Sequence, residues 1–301
     1  MTDPATRTFP IEEPYDPFAT LFPLRRGTGD PTVRIDGGEA WRASRTPDGP
    51  ATLRVRHLDG VIEATAWGPG TGWALDRAPG FIGAEDDPSA FEPRDGVMAR
   101  VWKQHRGARL PRGGEVVRTL IAAVLEQKVT GKEARRAWRW MTRRLGEPAP
   151  GPAGLLLPPD PARLAGLPYF EFHPFGLERR RAQVVRSICA QAPALEALVD
   201  ASPAEARARL EAIPGVGPWT SAEVTRLSLG DPDAVSVGDY HLPHVVAWAL
   251  AGEPRGTDER MLELLEPYRG QRGRAQRLLE ASRISPPAFG PRMEARSIQR
   301  M

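Results

Sequence analysis

Two periodicities divide the chain. Between residues 31 and 82, short segments rich in strand formers (32–35, 39–44, 51–60 and 61–68) are broken by Gly, Pro and Asp. Apolar and polar positions alternate through 52–57 and 61–67, the period-2 pattern of strands with one covered face. Leu58-Asp-Gly60 reads as the hairpin connection between the last two segments. From Ser89 onward the apolar spacing becomes helical, in 114–129, 132–145, 180–191, 203–213 and 244–250. Pro/Gly-rich loops such as 147–154 separate these runs. The pattern predicts an α+β protein, with a β-rich domain over 1–95 and a helical domain over 96–284. Residues 285–301, with two adjacent prolines and little apolar periodicity, are expected to form a mobile tail.

One junction between helical runs carries the most information: Ile213-Pro-Gly-Val-Gly-Pro-Trp-Thr220. Pro214 and Gly215 stop the preceding helix, Gly217 is expected to take a left-handed backbone, and Pro218 suits the first turn of the next helix. A helix that ends on glycines and restarts at once aims successive backbone N–H groups outward. Such a nest at a helix N-terminus suits a phosphate oxygen. Downstream, Val237-Gly-Asp-Tyr-His241 places one acid, Asp239, 22 residues after Gly217. The pair reads as a phosphate clamp with a catalytic carboxylate nearby. The plainer alternative is an ordinary turn, with Asp239 capping the helix that begins near His241.

Composition narrows the setting. The chain has 301 residues, 41% hydrophobic and 26% charged, which fits a soluble protein of two domains with a sizeable core. The opening MTDPATRTFPIEEPYD has no apolar segment of the kind a signal peptide needs, and no run approaches the roughly 20 apolar residues that span a bilayer. A cytoplasmic, nucleoid-associated location without membrane contact is therefore expected. A lone cysteine, Cys189, rules out an intrachain disulfide and a four-cysteine iron–sulfur cluster, and is expected to be buried. The net charge of +3 hides an asymmetry: residues 1–95 hold 10 basic and 16 acidic side chains, the remainder 31 and 22. A basic helical part fits a polyanionic partner, although solvated helix faces would give the same excess. Only three lysines occur, Lys103, Lys128 and Lys132.

With these motifs in place, the chain resembles the helix-hairpin-helix DNA glycosylases, in particular the 3-methyladenine DNA glycosylase II (AlkA-like) branch. Its signature is a hairpin L-P-G-V-G-x-x-T followed by a loop bearing an aspartate, matched here by residues 213–220 and Asp239-Tyr240. Pro14-Tyr-Asp16 with Leu21-Phe-Pro-Leu24 is similar to the opening of that branch, whose small antiparallel β domain precedes the helical one. Residues 118–130 resemble its L-x-x-Q-x-x-S/T helix, and 176–182 the segment before the hairpin. The resemblance implies a monomeric enzyme acting on double-stranded DNA with damaged bases, in base excision repair. Asp239 would be catalytic. Pro214, Gly215, Val216, Gly217 and Thr220 would bind DNA, as would Gln127 or Lys128 in the gap left by an extruded nucleotide. Lys128 stands where the best-known member has leucine, so wedge and phosphate roles both remain open for it. The carbonyls of Glu211, Ile213 and Val216 would hold a structural Na⁺ or K⁺, with no cofactor needed for catalysis. Arg179–Arg181 would add a basic flank.

The chemistry fits this set. C1′ of a damaged nucleotide is unreachable inside stacked duplex, so the nucleotide must be extruded. A carboxylate beside C1′ stabilises oxocarbenium charge and orients water. Backbone-cleaving relatives place a lysine two residues after the second hairpin glycine; here that residue is Trp219, which predicts hydrolysis without lyase activity. Trp219, Tyr240 and Tyr268 are candidate walls for a cationic alkylated purine, with core packing as the alternative. Glu223 stands where the best-known member has an aromatic residue. Asp231 and Asp233 read as exposed turn residues, and His241 and His244 as packing or phosphate contacts. Two other functions fit the motifs: a glycosylase for oxidised or deaminated bases, and a non-catalytic helix-hairpin-helix damage-binding protein.

Overall fold

The structure, a computed structural model, describes residues 3–36 and 38–288. Of the expected tail, 285–288 have no regular structure and the rest lies outside the described residues.

Five antiparallel strands form one sheet in the order β1-β5-β4-β3-β2: β1 (Ala5–Pro10), β2 (Val33–Asp36), β3 (Glu39–Thr46), β4 (Gly49–Leu58) and β5 (Val61–Trp67). The alternation seen in the sequence sorts the two faces. Ala51, Leu53 and Val55 of β4 and Ile62, Ala64 and Ala66 of β5 point one way. They pack on Leu21 of α1 (Pro17–Leu21) and on α2 (Thr71–Asp76) and α3 (Ala78–Phe81). The opposite face carries Trp41 and Ala43, stacks Trp41 on Trp67 at 5.3 Å, and is covered by Ala153, Leu155 and Leu157 from the helical part. Asp59 and Gly60, both at positive φ, turn the β4–β5 hairpin as expected. Strand β1 has no legible pattern of its own: it is almost wholly exposed and exists by pairing Ala5–Pro10 along β5.

The helical part has two cores. The first gathers α5 (Val116–Glu126), α6 (Gly131–Leu145), α7 (Pro161–Gly166), α8 (Arg179–Ala190), α9 (Ala192–Glu196) and α10 (Pro203–Glu211). Helix α5 is buried at every residue but Arg118 and Glu126 and sits at its centre, where burial of each of Leu120, Ile121 and Leu125 contributes roughly 1.5–3 kcal/mol. Thr130 and Glu133 close a capping box at the start of α6. Cys189 is buried in this core as expected, and burial pushes its thiol up to about 12, which leaves it unreactive. The chain then runs through α11 (Pro218–Val224), a π turn over Thr225–Leu229, and a loop to α12 (Leu242–Ala251), α13 (Asp258–Leu265) and α14 (Arg272–Ser282). These last three helices form the second core together with Met98 and Val101 of α4 (Gly96–His105), the first helix beyond residue 95. The hairpin belongs to the first core and Asp239 to the loop entering the second, so the candidate site lies at their junction.

Candidate active site

The hairpin is a tight turn anchored from below. Ile213 and Val216 bury their side chains in the first core, and Val216 N–H donates to the Ile213 carbonyl at 2.9 Å. Pro214 and Gly215 are thereby left on the surface. The left-handed residue is Gly215, at φ +96°, and not Gly217, which is extended at φ −113°, ψ −177°. This corrects the expectation: the reversal occurs two residues earlier, immediately after Pro214. A Cβ on Gly215 would lie 2.4 Å from Val184 Cγ2, whereas one on Gly217 would meet nothing within 4 Å. Gly217 thus presents open backbone at the start of α11. No hydrogen bond among the described residues ends on the carbonyls of Glu211 or Val216, and that of Ile213 takes only the Val216 N–H.

Two residues expected on DNA turn inward. Gln127 Nε2 donates to the Gly215 carbonyl at 3.0 Å and to Thr220 Oγ1 at 2.9 Å, tying the end of α5 to the hairpin. Thr220 is buried and spent on that contact. Lys128, the next residue, is exposed at φ +55° and projects from the turn in their place. Arg181 is also a correction to the basic flank. It is buried and donates to the Leu125 and Gly176 carbonyls, each at 3.0 Å, while Arg179 and Arg180 stay exposed. A guanidinium at the end of α5 satisfies an orphan helix carbonyl and complements the helix dipole.

Asp239 caps α12, the plainer of its two readings, and keeps its second oxygen turned toward the hairpin. Oδ1 accepts the N–H groups of His241 at 2.8 Å and Leu242 at 2.9 Å, capping α12. Oδ2 accepts Trp219 Nε1–H at 3.1 Å, and the residue as a whole is half-buried. One oxygen fixes the orientation of the carboxylate, and the other faces the hairpin. Around it, Gly238 N–H donates to Asp258, and Asp239 N–H donates to the Ser236 carbonyl at 3.2 Å. Trp219 is half-buried and bridges hairpin and acid.

The two tyrosines part company. Tyr240 is 75% exposed, with its ring edge-on to His241 at 4.8 Å. Tyr268 is a core residue: its ring stacks on Phe91 at 5.6 Å, and its hydroxyl donates to Asp95 Oδ2 at 2.6 Å. The same hydroxyl accepts the Arg94 N–H at 3.1 Å, so core packing accounts for every part of the residue. Asp231 is buried against Arg207 rather than exposed, and Asp233 holds the start of α14 through the N–H groups of Gly270 and Arg272. His244 accepts the Gly256 N–H, a packing role.

Sequence reasoning missed a charged cluster beside these residues. Glu223 accepts both hydrogen bonds from Arg226 Nη2 at 2.8 Å and one from Ser236 Oγ at 2.6 Å. Arg226 also pairs with Glu280 at 3.2 Å, and Arg26 reaches Glu126 at 3.3 Å. The one signal in the sequence is that Glu126 is the first charge after an apolar run of six residues, 120–125.

No family model matches the chain. Among curated proteins it is 30% identical over 175 residues to a probable bifunctional transcriptional activator/DNA repair enzyme AlkA of Mycobacterium tuberculosis, covering 56% of this chain and 35% of that protein. The chain spans about a third of that relative's length. Among solved structures, a 3-methyladenine DNA glycosylase from Archaeoglobus fulgidus superposes with a TM-score of 0.77 at 16% identity, covering 92% of this chain and 98% of that one. A Clostridium acetobutylicum 8-oxoguanine glycosylase/lyase, solved with double-stranded DNA, superposes at 0.67 and 13% identity, covering 88% and 90%. These likenesses show the fold, an antiparallel sheet followed by helices, as the sequence predicts.

Proposed function

From the fold of the helix-hairpin-helix DNA glycosylases, we propose that this chain is a monofunctional DNA glycosylase that hydrolytically excises alkylated purines in base excision repair. The observation that carries the reading is the Asp239 carboxylate, locked by α12 on one side and by Trp219 on the other, beside an open glycine backbone. The N–H groups of Gly215 and Gly217, which donate to no partner among the described residues, grip a backbone phosphate and position the duplex without reading its sequence. Lys128 enters the gap left by the extruded nucleotide. Once the base is extruded, Asp239 stabilises positive charge developing at C1′ and takes a proton from the attacking water. A base such as 3-methyladenine already carries positive charge and leaves readily, and the face of Trp219 favours it by about 0.5–2 kcal/mol.

The three hairpin carbonyls are suited to a Na⁺ or K⁺ ion, which would offset repulsion between them and the phosphate. The partner is duplex DNA containing damaged bases, and the protein acts as a monomer. No helix among the described residues is long and apolar enough to cross a membrane.

The discriminating experiment is a side-by-side single-turnover comparison on matched duplexes, with borohydride added in parallel. Release of 3-methyladenine and 7-methylguanine ahead of 8-oxoguanine and uracil, with no trapped protein–DNA adduct, is expected. Faster release of 8-oxoguanine or uracil overturns the substrate class, and an adduct mapping to any lysine overturns the monofunctional chemistry.

A further inference from the structure

One carboxyl at the site has no part in the chemistry above. Glu126 is the last residue of α5 and directly precedes Gln127, whose amide holds the hairpin. Its side chain keeps 29% of its surface open, so it is not sealed in the core. One oxygen meets Arg26 Nη1 at a long 3.3 Å, and the other accepts no hydrogen bond among the described residues. Glu223 is held far more completely, by three hydrogen bonds of 2.6 to 2.8 Å from two donors, Arg226 Nη2 and Ser236 Oγ. On α11, Trp219 and Glu223 are one turn apart and share a face. Trp219 reaches Asp239, and Glu223 reaches Ser236, whose carbonyl accepts the Asp239 N–H. Helix α5 packs against α11, and Gln127 at its end reaches Thr220 of α11, which brings Glu126 to the flank of this face.

The charged groups facing Glu126 are Arg26, Arg135 of α6, Glu223 of α11 and Arg226 of the π turn. Burial pushes the Glu126 carboxyl above the ordinary range, and Glu223 adds to this, against the pull of Arg26, Arg226 and Arg135. Burial acts on Glu223 as well, but Arg226 and Ser236 more than offset it and hold that carboxylate low. Two neighbouring acids are thus driven apart, one toward keeping its proton and one toward losing it, the pattern that marks a proton donor.

We propose that Glu126 is the general acid for bases that must leave without a charge of their own, giving its proton to a ring nitrogen of the extruded purine. The proposal rests on the glycosylase reading and extends its substrate class to neutral lesions such as hypoxanthine. The C1′–N bond breaks with its electron pair passing to the base, which takes the Glu126 proton. Water bonds to C1′ and gives its proton to Asp239, and Glu126, left as a carboxylate, is reprotonated from solvent. A cationic base needs no such proton, so the two substrate types depend differently on this one residue.

The test measures single-turnover release of hypoxanthine and 7-methylguanine from matched duplexes, across pH 5.5–9, by wild type, Glu126→Gln, Glu126→Asp and Asp239→Asn. Glu126→Gln is expected to lower hypoxanthine release about 100-fold or more and to abolish its decline with rising pH. Release of 7-methylguanine should stay within about threefold. Glu126→Asp should restore part of the hypoxanthine rate, because it restores a titratable proton. Equal losses on both substrates, an unchanged hypoxanthine rate, or a wild type that releases 7-methylguanine but no hypoxanthine each overturns the proposal. Loss of both activities in Asp239→Asn alone leaves the Glu126 assignment intact, whereas a wild type that releases neither base overturns the glycosylase reading itself.

Discussion

Replacing each hairpin glycine by alanine separates fold from function in one motif. Gly215 sits at φ +96°, and its added Cβ would fall 2.4 Å from Val184 Cγ2. A left-handed L-residue costs roughly 1–2 kcal/mol, and forcing a methyl into a packed contact costs about 1–3 more. Gly215→Ala should therefore lose about 2–5 kcal/mol, a fall in Tm of roughly 3–8 °C for a chain of this size. Gly217 is extended and its Cβ direction is open, so Gly217→Ala should stay within about 0.5 kcal/mol of wild type. The same open space is where a phosphate must approach the backbone, so that methyl should weaken binding to an abasic-site duplex about tenfold, worth roughly 1.4 kcal/mol. Calorimetry and fluorescence anisotropy read the two quantities independently. Equal destabilisation by both substitutions refutes the backbone account, and wild-type DNA affinity in Gly217→Ala refutes the clamp.

Two further expectations concern charge. Arg181→Ala should cost about 2–4 kcal/mol by urea titration, since it strips two buried carbonyls of their donor, while Arg179→Glu with Arg180→Glu should leave stability unchanged and weaken DNA binding with a shallower salt slope; a stable Arg181→Ala contradicts the anchoring role. Glu196 accepts the N–H groups of Val116 and Val117 at the head of α5, and burial, reinforced by Glu115, raises its carboxyl to about 7. Its unfolded form ionises in the ordinary carboxyl range, so the contribution is fully present in acid and is lost as pH rises to about 7, a change on the order of 3 kcal/mol. Glu196→Gln should flatten the stability difference between pH 5 and pH 8, and an unaltered slope rules this group out as its source.

Much of this was legible in the residues for definite reasons. Strands β4 and β5 announce themselves because alternation marks a covered face, whereas β3, buried on both faces, is legible only from its strand formers. Strand β1 lacks that record: its order comes from pairing with β5, which is a property of the partner. The hairpin was recognisable from Pro214 to Pro218, yet which glycine reverses the chain depends on how Ile213 and Val216 are pulled into the core. Tyr268 could be a pocket wall or a core residue on sequence alone, and only the fold brings Phe91 and Asp95 against it from far along the chain. Arg181 could not be told from Arg179 and Arg180 by composition, since helix phase relative to α5 decides which of the three is buried. Glu126 escaped notice for the same reason: its meaning lies in Arg26 and Glu223, remote in sequence and close in space.

The central claim is that Asp239 performs the excision, and single-turnover release of 3-methyladenine by wild type and Asp239→Asn tests it most directly. Asparagine can keep its carbonyl oxygen on the His241 and Leu242 N–H groups, so α12 stays capped, while the charge and the acceptor for Trp219 are lost. Removing a preorganised electrostatic stabiliser should slow release by about 100- to 1000-fold, with duplex affinity within about threefold of wild type. A variant that folds, binds and releases 3-methyladenine at close to the wild-type rate would contradict the account.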